Sequence, residues 1–372
     1  MNFRAALALA ALMNLATLAG CAADKPAPTP LETYEPKIAG TAVWKAGFGA
    51  IGPLIVPSAR DGLFIVATAA GDLIALQADS GAVLWKASVG GPVAAGVGSD
   101  GRFVSVVTRG NEVVTFDGGR EIWRKRVPSA VVTPPLVAGE RVFVMGVDRA
   151  VQAFDVLDGR RLWTLQRPGD ALTLAQPGVL AAFRNTLLVG QGARLAAVEP
   201  LRGTLLWELP MASPRGSNEV ERLADLVGPP VRVGDRVCAR AFQSAVACVD
   251  AARSAVLWTR NAGGANPVGG DAERLFGADA TDRMTAWNAS NGDIVWSHEK
   301  LLYRGLSGAL AVGPVVVFGD SEGFVHFLSA ATGDQQLRLP TDGSPVLGTP
   351  VLSGNTLLVV TKSGGLFAFR PS

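Results

Sequence analysis

Seven of the eight tryptophans recur at a nearly fixed interval. Trp44, Trp85, Trp123, Trp163, Trp207, Trp258 and Trp296 follow one another at steps of 41, 38, 40, 44, 51 and 38 in the numbering, and Leu337 holds the next place after a further step of 41. Residues 38–372 then divide into eight repeats of about 42 residues, the length of a four-stranded propeller blade. A glycine stands four residues before most of these positions: Gly81, Gly119, Gly159, Gly203, Gly292 and Gly333, with Ser254 the departure. Glycine at a fixed offset between two apolar runs reads as a hairpin turn with positive φ. In the first repeat, Leu54–Val56, Leu63–Thr68, Leu73–Gln77 and Val83–Lys86 are expected as four strands. One such sheet cannot bury both of its faces, so the repeats must stack, each tryptophan covering the next blade.

The ends of the array are complementary. After Leu337 the chain offers only three more strands, Val346–Leu352, Thr356–Thr361 and Leu366–Arg370, whereas Thr41–Lys45 is an outer strand with no blade before it. Pairing the two completes an eighth blade and removes an exposed edge. The expected fold is therefore all-β, an eight-bladed propeller closed by its N-terminal strand. No tryptophan of the series is followed by Asp, so the WD signature is missing.

Upstream of the array, residues 1–20 read as an export signal. Arg4 is followed by an Ala/Leu/Met run too short to span a membrane. Leu18-Ala19-Gly20-Cys21 resembles a bacterial lipobox, which makes Cys21 the expected site of lipidation; Ala22 after it implies sorting to the outer membrane. Lipid chains there would anchor the protein on the periplasmic face. Residues 21–37, with Pro26, Pro28, Pro30 and Pro36, are expected as an extended tether spanning roughly 45 Å at about 3.1 Å per residue.

Composition narrows the function. With 34 basic and 32 acidic residues the chain builds no strong field, which argues against nucleic acid. Two His and three Cys lack the spacing of a zinc site. Charged residues at 18% and glycine at 44 of 372 argue against a disordered chain. His298 and His326 read as satisfied core or edge residues rather than catalysts. Asp320-Ser321-Glu322 fits either a cation-holding loop or a hairpin turn. Cys238 and Cys248 fall on adjacent strands of one hairpin, where a disulfide and two small buried thiols both fit.

The connections between blades single out one region. The step from a repeat tryptophan to the proline opening the next blade is short for most blades, 9 from Trp44 to Pro53 and 7 from Trp85 to Pro92, for example. It rises to 14 from Trp163 to Pro177 and to 23 from Trp207 to Pro230. The two long loops are consecutive, hence neighbours on one face of the ring, where long loops on a rigid scaffold carry binding. They contain Leu172 and Leu174, and the charged run Gly216–Asp225.

Three stretches are more specific than the repeat: Ser217-Asn218-Glu219-Val220-Glu221-Arg222-Leu223-Ala224-Asp225, Leu301-Leu302-Tyr303-Arg304, and Val316–His326 with its Gly-Asp-Ser-Glu-Gly core. Through them the chain resembles the BamB family, lipoprotein subunits of the bacterial outer-membrane β-barrel assembly machinery, from lipobox to C-terminus. The resemblance implies a closed eight-bladed propeller with no catalysis and no cofactor. It also implies docking on a periplasmic POTRA domain of a BamA-type barrel insertase, alongside other assembly subunits and unfolded outer-membrane proteins. Carried over, the contact residues are Leu172, Leu174 and Asp225, with the leucines as apolar anchors and Asp225 meeting a partner cation. The chain departs at Ala175, where the family has Arg, and at Val227, where it has a second Asp; Arg222 offers a replacement charge. The rival class is the propeller dehydrogenases that bind pyrroloquinoline quinone. Those carry calcium ligands, a catalytic Asp and often a vicinal Cys pair, and that constellation is not visible in this sequence.

Overall fold

The computed structural model describes residues 26–167, 172–214 and 216–371; the expected signal segment and Cys21 lie outside them. Among the described residues thirty-two strands form eight four-stranded antiparallel sheets, each made of consecutive strands except the last. In that last sheet Gly40–Gly47 pairs with Gly365–Pro371, outside Thr356–Thr361 and Val346–Ser353. The ring is thus an eight-bladed propeller closed by its N-terminal strand.

Burial follows position within the blade. The second and third strands are covered on both faces by neighbouring blades, so they read as continuous apolar runs rather than alternating ones. Phe103–Thr108 is buried at every residue. The outer strands are largely exposed.

What joins the blades is the tryptophan–glycine pair, and the glycine serves it twice. Gly159 has φ +67°, as its turn requires, and a Cβ there would lie 2.5 Å from the ring of Trp123 in the preceding blade. Gly81, Gly119, Gly203, Gly292 and Gly333 receive Trp44, Trp85, Trp163, Trp258 and Trp296 in the same way. Five indoles also donate to a carbonyl of the next blade, Trp44 to Ala78, Trp123 to Val156, Trp163 to Pro200, Trp258 to Ala289 and Trp296 to Ala330. Leu337 packs against Gly40, four residues before Trp44, so the seam into the closing blade repeats the geometry without an indole.

Two segments differ from their expected places. Leu54–Val56 is not the inner strand of blade one, which is Ser58–Arg60. Val56 instead exchanges backbone hydrogen bonds with Gly96 and Val97 of blade two, and Pro57 lacks the N–H to continue a ladder. The proline-rich stretch, expected as a free tether, lies along blade seven from Thr29 to Lys37. Thr29 N–H donates to the Leu302 carbonyl (3.0 Å) and Lys37 N–H to that of Gln336 (2.8 Å). Lys300 pairs with Glu32 (2.7 Å), and Arg338 lies over the Tyr34 ring. Leu31 packs on the core beneath, which gives the segment an apolar foothold that its prolines conceal in the sequence.

Candidate functional site

The two long connections are residues 166–179, between outer strand Arg161–Leu165 and inner strand Leu180–Phe183, and residues 211–225, between Leu205–Pro210 and Leu226–Val233. The second ends earlier than Pro230 because Leu226 N–H is already held by the Gly192 carbonyl and Val227 bridges Gly178. Its acidic run is organised from within. Asn218 Oδ1 accepts the Glu221 N–H (2.9 Å), and Glu221 Oε2 accepts the N–H and Oγ–H of Ser217 (2.7 and 3.0 Å). Those Ser217 hydrogen bonds hold the Glu221 carboxyl below its usual range. Arg222 is exposed and forms no ion pair among the described residues.

The loops meet at Asp225. Its Oδ2 accepts the Leu174 N–H (2.7 Å) and its Oδ1 pairs with Arg149 Nη1 (3.2 Å). Arg149 Nη2 in turn donates to the Leu172 carbonyl (3.2 Å). Arg149 belongs to neither loop; it lies on the turn between Arg141–Met145 and Val151–Asp155 of blade three. Leu172 is 36% exposed, whereas Leu174 is half-buried over a small cleft of about 50 Å³, lined also by Met145, Arg149, Gln176 and Asp225. Leu172, Leu174 and Asp225 are therefore brought together, but the Asp225 carboxylate points into the protein rather than outward.

The two departures from the family pattern have different settings. Ala175 is exposed on the first loop. Val227 is 2% exposed, in register with the fully buried Arg240. Arg240 donates through Nη1 to the carbonyls of Ala262 (3.0 Å) and Gly263, while its Nε and Nη2 find no partner among the described residues. Burial pulls this guanidinium down to about 10.

The remaining family-specific stretches converge on blade seven. Arg304, 2% exposed, donates through Nε to Asp320 Oδ2 (2.8 Å), pairs with Glu322, and reaches the Thr29 carbonyl through Nη1 (2.9 Å). Asp320 Oδ2 also meets His326 Nε2 (2.9 Å), and its Oδ1 accepts the N–H groups of Glu322 and Phe324. The acidic turn is thus a hairpin whose carboxylates are occupied by protein donors. Burial raises the Asp320 carboxyl, but hydrogen bonds from His326, the Phe324 N–H and Arg304 outweigh it and hold the group below its usual range. Burial lowers His326, and likewise His298. Cys238 and Cys248 stand opposite in register and are joined by a disulfide.

Among the described residues no three His, Cys, Asp or Glu side chains form a metal-holding group, and the disulfide joins cysteines ten apart in sequence rather than vicinal ones. Nor is any helix of the described residues long and apolar enough to cross a membrane.

Fold and site together define an eight-bladed propeller of the repeat-scaffold class, whose distinguishing surface is a loop-built face over blades three to five. The sequence profile PQQ_2, described as outer membrane protein assembly factor BamB, matches residues 34–95 and 75–298. An outer membrane protein assembly factor BamB from Burkholderia pseudomallei is 34% identical over 99% of this chain and 98% of its own length. Its counterpart in Bordetella pertussis is 32% identical over 96% and 95%. The crystal structure of BamB from Moraxella catarrhalis superposes with a TM-score of 0.81 at 21% identity, over 89% of this chain and all of that one. A quinohemoprotein alcohol dehydrogenase from Comamonas testosteroni shares the fold at a TM-score of 0.67 and 15% identity, covering 89% of this chain and 76% of its own. The chain belongs to the BamB family of outer membrane protein assembly factors.

Proposed function

We propose that this chain is a non-enzymatic docking subunit of the outer-membrane protein assembly machinery. In this reading lipid on Cys21 holds it to the periplasmic face of the outer membrane. The face carrying Leu172 and Leu174 docks on a POTRA domain of the barrel insertase and so aids insertion of β-barrel proteins. One observation supports it above the rest: the two longest connections of an otherwise regular ring lie side by side and present Leu172 to solvent. A rigid ring that spends its irregularity on one apolar-and-polar face has the anatomy of an interface. Interface anchors are few, and truncating one costs about 2 kcal/mol or more. Leu172→Ala with Leu174→Ala is therefore expected to abolish co-purification with the insertase from solubilised outer membrane while the β circular-dichroism signal stays intact. Normal recovery of the insertase with that double variant would reject these leucines as the contact.

A further inference from the structure

We infer that Arg149, which lies outside both docking loops, positions the docking face, and that Asp225 acts inside that face rather than as counter-ion to a partner. The inference rests on the docking reading above and deepens it. Three bonds carry it: Arg149 Nη1 to Asp225 Oδ1, Arg149 Nη2 to the Leu172 carbonyl, and Asp225 Oδ2 to the Leu174 N–H. They tie a turn of blade three, the connection from blade three to four, and the end of the connection from four to five. The paired side chains are only 13% and 15% exposed, so water screens them less than it would a surface pair.

The surroundings are built for this pair. Gln191 Nε2 donates to the Arg149 carbonyl (3.3 Å), fixing the turn that carries the guanidinium. Gly192, at φ +61°, lies under the pair, where a Cβ would come within 3.3 Å of Arg149 Nη1 and 3.8 Å of Asp225 Oδ1. The cation facing Asp225 comes from a turn of blade three rather than from either loop. Both leucine-bearing backbone groups, the Leu172 carbonyl and the Leu174 N–H, are thereby held before any partner arrives. Pre-ordering a contact loop removes an ordering cost from association. With Asp225 neutralised by Arg149, what the face requires of its partner at this point is an apolar patch, not a cation.

The test uses the full-length lipoprotein and the detergent-solubilised insertase. Arg149→Ala, Asp225→Ala and the double variant are compared by insertase affinity and by amide exchange at Leu174 in the free protein. Each single change is expected to speed Leu174 exchange and to weaken docking by about tenfold. The double variant should be no weaker than the worse single one, because both residues serve one linkage. Arg149→Lys keeps the charge but not the two-handed reach, and should recover part of the affinity. A partner-facing Asp225 would give a different pattern: Asp225→Ala alone weakens docking, Leu174 exchange is unchanged, and Arg149→Ala is silent. That pattern overturns the inference. The leucine variant keeps the two ideas separable, since full affinity there defeats the docking reading, whereas the Leu174 exchange coupling is measured without any partner.

Discussion

At the residue scale, the buried histidines make stability depend on pH. An imidazole in the unfolded chain titrates near 6.5. Burial holds His326 and His298 lower in the folded protein, and the Arg304 and Arg338 charges near His326 act in the same sense. Between the two values the unfolded chain takes up a proton that the folded one refuses, so stability is full above about pH 6.5 and is lost as pH falls below it. The slope is at most about 1.4 kcal/mol per pH unit for each imidazole. His326→Gln keeps a donor for Asp320 and is expected to remove one of the two contributions. Urea midpoints at several pH values between 5 and 8 measure this, and an unchanged slope in the variant would mean that folding does not shift the His326 imidazole. Asp320, held below its usual range, adds a loss only in stronger acid, below about pH 3.8. Residues of this kind are poorly legible in sequence. Arg149 is one arginine in a Val-Asp-Arg-Ala turn, 76 residues from the aspartate that it pairs with, and nothing local marks it. Asp225 was legible through its loop, but not the direction of its carboxylate, which depends on that distant cation.

At the element scale, the Gly–Trp seam explains why the repeat could be read so completely. The interval recurs because six of the blades present a Cβ-free turn to the indole of the blade before. A β-bulge just before each repeat tryptophan re-aims it across the seam. The ladder skips one residue there in every blade, between Trp163 and Arg161 opposite Ala153 and Phe154, for example. The skipped position faces outward, which accounts for exposed apolar residues such as Leu84, Leu206 and Val295 on the rim. Sequence periodicity shows the tryptophan but not the bulge, since a slip of one residue is hidden inside an apolar run. Ser254 takes the glycine position of the fifth blade at φ 54°. At Gly159, by contrast, a side chain would meet the Trp123 ring head-on. Gly159→Ser is therefore expected to cost roughly 2–4 kcal/mol, from overpacking and left-handed strain together. Ser254→Gly should shift stability by less than about 1 kcal/mol, because relief of strain is offset by a freer unfolded chain. Denaturant midpoints of the two variants decide this, and equal effects would mean that the glycine serves only its turn.

At the scale of the whole molecule, the docked proline-rich segment relates the expected anchor to the face that carries Leu172 and Leu174. Leu302 and Arg304 lie in the connection from blade six to blade seven, which joins an outer strand to the next inner one, as both docking loops do. All such connections lie on one face of a propeller. Thr29, held by Leu302 and Arg304, therefore leaves the ring on the face that carries Leu172 and Leu174. Cys21 stands only eight positions before it. Fully extended this stretch reaches about 29 Å, and in polyproline geometry about 25 Å, well short of the span of a free tether. If Cys21 carries lipid, this edge of the ring is kept within about 30 Å of the bilayer surface, and the face carrying Leu172 and Leu174 is turned toward it. Arg304→Ala would be a poor probe, because it strands the buried Asp320 charge. Thr29→Pro with Glu32→Ala instead removes the donor to Leu302 and the pair with Lys300 while leaving the Arg304 pairs with Asp320 and Glu322 in place. That variant is expected to become cleavable by protease within residues 26–38 at an unchanged unfolding midpoint of the ring. In lipidated form on a supported bilayer, its ring should also stand higher, since the tether then runs on toward Gly40. An unchanged height and cleavage pattern would show that these contacts do not set where the ring sits.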